Sequence, residues 1–107
     1  MSAWEDWLDR LKDDSGKLAK DELKNLVSDA KADSEEFIQR QGEKLEIYLN
    51  QLAMGLITKE QFEGYVGDIR DLSVMQTLKM KVEARARAQS LANGITKLII
   101  DRLLALI

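Results

Sequence analysis

Apolar residues recur at helical spacing through nearly the whole chain. In residues 2–13, Trp4, Trp7, Leu8 and Leu11 follow the i, i+3, i+4, i+7 pattern of an amphipathic helix, with Glu5, Asp6, Asp9 and Asp13 on the other side. Asp14-Ser15-Gly16 then reads as a turn. From Leu23 to Leu56 the apolar positions repeat every eleven residues: Leu23, Leu26 and Ala30, then Ser34, Phe37 and Gln41, then Leu45, Tyr48 and Leu52. Val27, Ile38 and Leu49 form a flanking row. An eleven-residue repeat keeps a stripe on one face of a nearly straight helix. It predicts one helix within 17–55, of roughly 35 residues and about 50 Å at about 1.5 Å per residue. Its weak point lies near residue 33, where Ser34 interrupts the stripe and Asp33 with Glu36 makes a capping-box-like start.

The stretch Leu49–Ile69 organises the rest. Gly55 suits a helix C-terminus because it tolerates positive φ. Thr58 and Gln61 form a capping-box pair for the next helix. The returning helix is predicted over 59–93, with Phe62, Tyr65, Val66, Ile69, Leu72, Met75, Leu78 and Val82 on its apolar face. Asn93-Gly94 reads as a stop, and Thr96 as the cap of a last helix over 96–107. That tail is apolar over most of its circumference and calls for burial. The predicted fold is all-α. A long antiparallel helical hairpin carries a short amphipathic N-terminal helix and an apolar C-terminal one. Its surplus apolar surface is completed into a bundle by self-association.

Composition strengthens this reading. Among 107 residues there is no proline, where about five are expected at usual frequencies. Their absence fits uninterrupted helix. No cysteine or histidine is present, which removes disulfides, thiolate metal sites and the commonest general base. The chain opens on a charged amphipathic segment instead of a basic leader and apolar run, so a cytoplasmic location is expected. The net charge of −3 hides an asymmetry: residues 1–36 are strongly acidic, and residues 77–107 are basic. Such ends attract within a chain or between chains packed head to tail.

Candidate chemistry is sparse. The run KDDSGKLAKDEL partially resembles an EF-hand calcium loop, with Gly16 as turn glycine, Leu18 as central apolar residue and Glu22 as bidentate acid. Leu11 occupies the first ligand position, and the similar cadence before Gly55 places Leu52 and Met54 on ligand positions. Neither loop can coordinate calcium in this form. Glu35, Glu36, Glu43 and Glu46 offer carboxylates, but on helix faces with basic neighbours. Lys79, Lys81, Arg85 and Arg87 form a basic run without interleaved aromatics, inside an acidic chain. The sequence therefore predicts no enzyme, no cofactor, no bound metal and no nucleic-acid partner.

What remains is a protein-protein interaction or assembly module that forms a homo-oligomer, with a dimer as the simplest form. Its candidate interface comprises Trp4 and Trp7 together with Leu98, Ile99, Leu103 and Leu106 of the tail. The alternative is a peripheral membrane protein that lays the C-terminal helix in a lipid interface, since the tail is too short to span a bilayer.

Overall fold

The computed structural model describes residues 3–14, 16 and 18–107. All regular structure among them is helical. Five principal helices follow in order: α1 (Ala3–Arg10), α2 (Lys20–Lys31), α3 (Glu36–Ala53), α4 (Lys59–Gln76) and α5 (Val82–Gly94). The chain then continues through a π-helical segment, Ile95–Leu103, into a last α-turn, Leu104–Leu106. The possible cap Ser2, Ser15 of the first turn and Lys17 at the predicted start of the second helix lie outside the described residues.

The α3–α4 connection forms as its sequence demands. Gly55 has φ 73°. Leu56 N–H donates to the Gln51 carbonyl at 2.8 Å, and Gly55 N–H to the Leu52 carbonyl at 3.1 Å. This is the Schellman pattern that satisfies the last carbonyls of a helix. Thr58 Oγ1 then accepts from Gln61 N–H at 3.0 Å, while Gln61 Oε1 accepts from Thr58 N–H at 2.9 Å, closing the capping box. Gly55→Val is expected to cost about 1 kcal/mol or more, because a β-branched residue resists positive φ. A thermal melt coincident with the parent's would show that the helix ends otherwise.

The two long helices of the predicted hairpin are each divided. Residues 17–55 become α2 and α3, parted at the weak point near residue 33. The means differ from the capping box expected there. Asp33 Oδ1 accepts from Glu35 N–H at 2.8 Å, and Glu35, not Asp33, is the N-cap of α3. This local turn lets α2 fold against α3, with Gly42 seated on the backbone of Ala30 and Lys31.

The returning segment 59–93 is also broken, after a 3-10 turn at Thr77–Lys79. Ser73 Oγ and Thr77 Oγ1 donate back to the carbonyls of Ile69 and Val74, contacts that weaken or bend a helix. Met80 then leaves helical geometry and is buried in the core. Arg85 Nε donates to the Met80 carbonyl at 2.9 Å and fixes the corner. Buried Ala84 and Ala88 have little bulk, so α5 can lie close to α4.

Asn93-Gly94 does not stop the last helix. Gly94 is helical at φ −64° and ψ −40°, and Thr96 caps nothing. Leu26 of α2 fills the space where a Gly94 side chain would stand. The glycine serves packing, not termination. With both long segments folded back, the longest dimension is 40 Å, shorter than the single 17–55 helix predicted from the repeat. The radius of gyration, 13.4 Å, matches a compact domain of this length.

One core runs through the molecule. It takes Trp4 and Leu8 from α1, Leu23 and Val27 from α2, and Ile38, Leu45 and Leu49 from α3. Phe62, Val66 and Ile69 of α4 join Ile95, Ile99 and Leu103 of the π segment.

Candidate protein-interaction surface

The residues that sequence reasoning assigned to an interface are largely used inside the chain. Trp4, Leu98, Ile99 and Leu103 are buried by the chain's own helices. Trp4 is also tied down by polar contacts: its N–H donates to Asn50 Oδ1 at 3.0 Å and its indole Nε1 to Glu46 Oε2 at 3.4 Å. Trp7 is half-buried against the same core. Leu106 alone of the six is exposed, at 36%. The tail is held across the bundle, with Lys59 Nζ donating to the Ile107 carbonyl at 3.0 Å. In this fold the four buried residues belong to the chain's own core. The physical reason is that the core is built from segments folded back twice, which covers the apolar surface that a thin hairpin leaves bare.

Uncovered apolar residues lie at Ile47, at Met54 and Leu56 by the α3–α4 turn, in the tail, and at the far end of α4, where the two most exposed of them, Leu78 and Val82, stand. Phe62, Val66, Ile69 and Ser73 face inward at i, i+4, i+7 and i+11. Tyr65, Leu72 and Met75 lie on an adjoining stripe and are exposed. Met75 is 66% exposed, Leu78 in the 3-10 turn 84%, and Val82 at the start of α5 74%. Met75 and Leu78 are three apart through that turn, where side chains nearly eclipse. Together they make an apolar ridge on the α4–α5 corner. The sequence did carry a sign of it. Apolar residues on α4 occupy more than one stripe, and one helix can turn only one toward its own core.

The ridge carries opposite charges at its two ends. Asp68, one turn before Leu72, is exposed and has no cation within ion-pair distance among the described residues. Lys79, one turn after Met75, is likewise exposed and unpaired among them, as is Lys81. Beside Asp68 and Leu72 a notch between α3 and α4 is lined by Gln41, Lys44 and the stacked rings of Tyr48 and Tyr65, whose centroids are 4.7 Å apart. Gln41 is buried, and its Oε1 finds no donor within the chain. Buried acceptors without donors are uncommon.

Charge elsewhere is used for internal cohesion. Arg87 of α5 grips Asp33 at the α2–α3 turn through Nε at 2.8 Å and a second nitrogen at 3.2 Å. This is one contact between the acidic and basic ends of the chain made within one molecule. Asp33 is 8% exposed as a side chain. Burial pushes its carboxyl up, but the Arg87 hydrogen bond, the Glu35 N–H and the Arg87 charge together hold it below the usual carboxylate range. A lowered folded-state value means stability that is present above the unfolded pKa of about 3.9 and is lost as pH falls through the folded value. Arg87→Gln is therefore expected to lower the melting temperature at neutral pH and to flatten its fall below about pH 4. Melts across an acid series check this. A slope unchanged by the substitution would assign the acid sensitivity to other carboxylates.

Two of the four carboxylates considered for metal are also engaged. Glu46 pairs with Lys31 at 2.8 Å and Glu36 with Arg40. Asp13, of the loop that resembles an EF-hand, accepts from the Leu18 N–H. No cluster of three possible metal ligands occurs among the described residues. No helix of the described chain is long and apolar enough to cross a membrane.

Comparison with family models, curated proteins and solved structures finds no match to this chain.

Proposed function

We propose that the chain is a non-catalytic helical interaction module that self-associates as a structural or adaptor component, with the cytoplasm as its expected setting. The observation that carries the proposal is the apolar ridge of Leu72, Met75, Leu78 and Val82. Single exposed apolar residues are ordinary on protein surfaces. A contiguous group at one corner, rimmed by charge, is the pattern of an association site. The absence of histidine and cysteine from the sequence leaves few groups suited to nucleophilic or general-base work near neutral pH, which favours binding over catalysis.

The experiment is light scattering over a dilution series with a hydrophobic dye titrated in parallel. Mass that rises with concentration, and dye binding that falls as it does, supports self-association. A monodisperse monomer at every concentration that binds no dye overturns it.

A further inference from the structure

The ridge on α4 is self-complementary. Asp68, Leu72, Met75 and Lys79 are spaced i, i+4, i+7 and i+11, so they share one side of the helix and its 3-10 extension. Asp68 and Lys79 lie equally far on either side of the midpoint between Ser73 and Val74. Leu72 and Met75 flank that same midpoint. A two-fold axis through the midpoint, perpendicular to the helix, therefore sets Asp68 of one copy against Lys79 of the other, twice, and Leu72 against Met75, twice. An isologous interface pairs residues in this reciprocal way, i with j and j with i.

Resting on the self-association reading above, we infer that the occupant of the ridge is a second copy of the chain, its α4 antiparallel to the first, in the register that pairs Asp68 with Lys79 of the other copy. Both charges are free to do so. Neither has a partner within the chain among the described residues, unlike Asp71, which is held by Arg70 at 3.0 Å. The notch beside Asp68 holds the buried Gln41 carboxamide, whose Oε1 lacks a donor. Leu78, adjacent to Lys79 in the chain, adds exposed apolar surface beside each charge. A ridge of a few helical turns makes a small interface, in the transient class below about 1,200 Å². The charge pairs then contribute mainly to register and partner choice.

Charge reversal tests the register. Asp68→Lys alone sets two lysines together at each end of the dimer, and Lys79→Asp alone sets two aspartates together. Each single variant is expected to dissociate about tenfold or more readily than the parent, read as the dissociation constant from sedimentation or light scattering. Mixing the two variants makes a heterodimer with both charge pairs restored. At one end the introduced lysine of the first variant meets the introduced aspartate of the second. At the other end the native Asp68 of the second meets the native Lys79 of the first. Association is expected to return to near the parental level in the mixture, a result that merely structural roles would not produce. Both positions are exposed, so the melts of the variants should match the parent's. If either variant fails to fold, Asp68→Asn and Lys79→Gln replace them, and each is expected to weaken association by a smaller factor.

A parent that dimerises while the single variants dissociate no more readily, or while the mixture stays weak, overturns this register and leaves self-association standing. A parent that stays monomeric overturns both readings. Flotation of that monomer with anionic vesicles, lost in Leu78→Asp, would instead assign the ridge and Lys79 to a lipid surface.

Discussion

Leu103→Asp is expected to unfold the chain, or to lower its melting temperature by more than about 12 °C, in the absence of any lipid. Leu103 is completely buried, in the same core as Phe62, Val66 and Ile99. The substitution removes an apolar side chain that stabilises by about 1.5–3 kcal/mol and places a carboxylate where no counter-charge waits. Burying that group unpaired costs several kcal/mol more. Total stability for a domain of this kind is roughly 5–15 kcal/mol, and each kcal/mol is worth about 4–8 °C. Leu106→Asp makes the control. Leu106 lies three residues further along the same tail but is 36% exposed, so its replacement should cost clearly less than that of Leu103. Circular dichroism melts of both variants decide the matter. A tail that served as a lipid anchor would give the opposite result for Leu103→Asp: melting untouched and liposome flotation abolished.

The turn at Gly55 and Thr58 was legible because all its chemistry is local. A glycine at the position after the helix, an oxygen at the cap and an amide three residues on specify it within one short stretch. The division near residue 33 was visible as a weakness, although the contact that makes it, Asp33 Oδ1 to the Glu35 N–H, is not the one the capping pattern suggests. The break at Met80-Lys81 was not legible. The stretch contains neither glycine nor proline, and its residues suit a helix. Met80 is drawn out of the helix into the core, a tertiary effect that no local pattern reveals.

Gly94 failed in the other direction. Its sequence reads as a stop, but Leu26 from α2 packs where a side chain would be, so the glycine is kept for close approach and the helix runs on. Four of the six candidate interface residues are buried within the chain for a related reason. A thin hairpin cannot cover Trp4 and the tail leucines, but the fold near residue 33, signalled only as a weak point, and the unforeseen one at Met80 allow the chain to cover them itself. Leu72 and Met75, which the helical spacing puts on the apolar face of the returning helix, are among the apolar residues left exposed.

Gly42→Val is expected to destabilise by about 3 kcal/mol, the upper part of the usual range for overpacking. A Cβ at Gly42 stands 2.7 Å from Lys31 N, 2.8 Å from Ala30 C and 2.8 Å from Ala30 Cβ. Two of these three atoms are backbone, so the neighbour cannot escape by a change of rotamer. Helices α2 and α3 must move apart, which loosens Val27, Ile38 and Leu45 in the core they share. The other helical glycines calibrate the effect. Gly64 has nothing within 4 Å of its would-be Cβ, and Gly64→Ala should stabilise by up to about 1 kcal/mol, since alanine favours helix and loses less backbone freedom on folding. At Gly94 the would-be Cβ lies 2.5 Å from Leu26 Cδ1, the end of a flexible side chain. There the helix gain and the displacement of Leu26 oppose each other, so Gly94→Ala should fall between the two. Denaturant melts of the three variants should therefore rank Gly64→Ala above Gly94→Ala and Gly94→Ala above Gly42→Val. If Gly42→Val melts with Gly64→Ala, α2 does not cross α3 at Gly42. The α2–α3 packing would then have to be held by contacts elsewhere along the two helices, such as the Lys31–Glu46 pair.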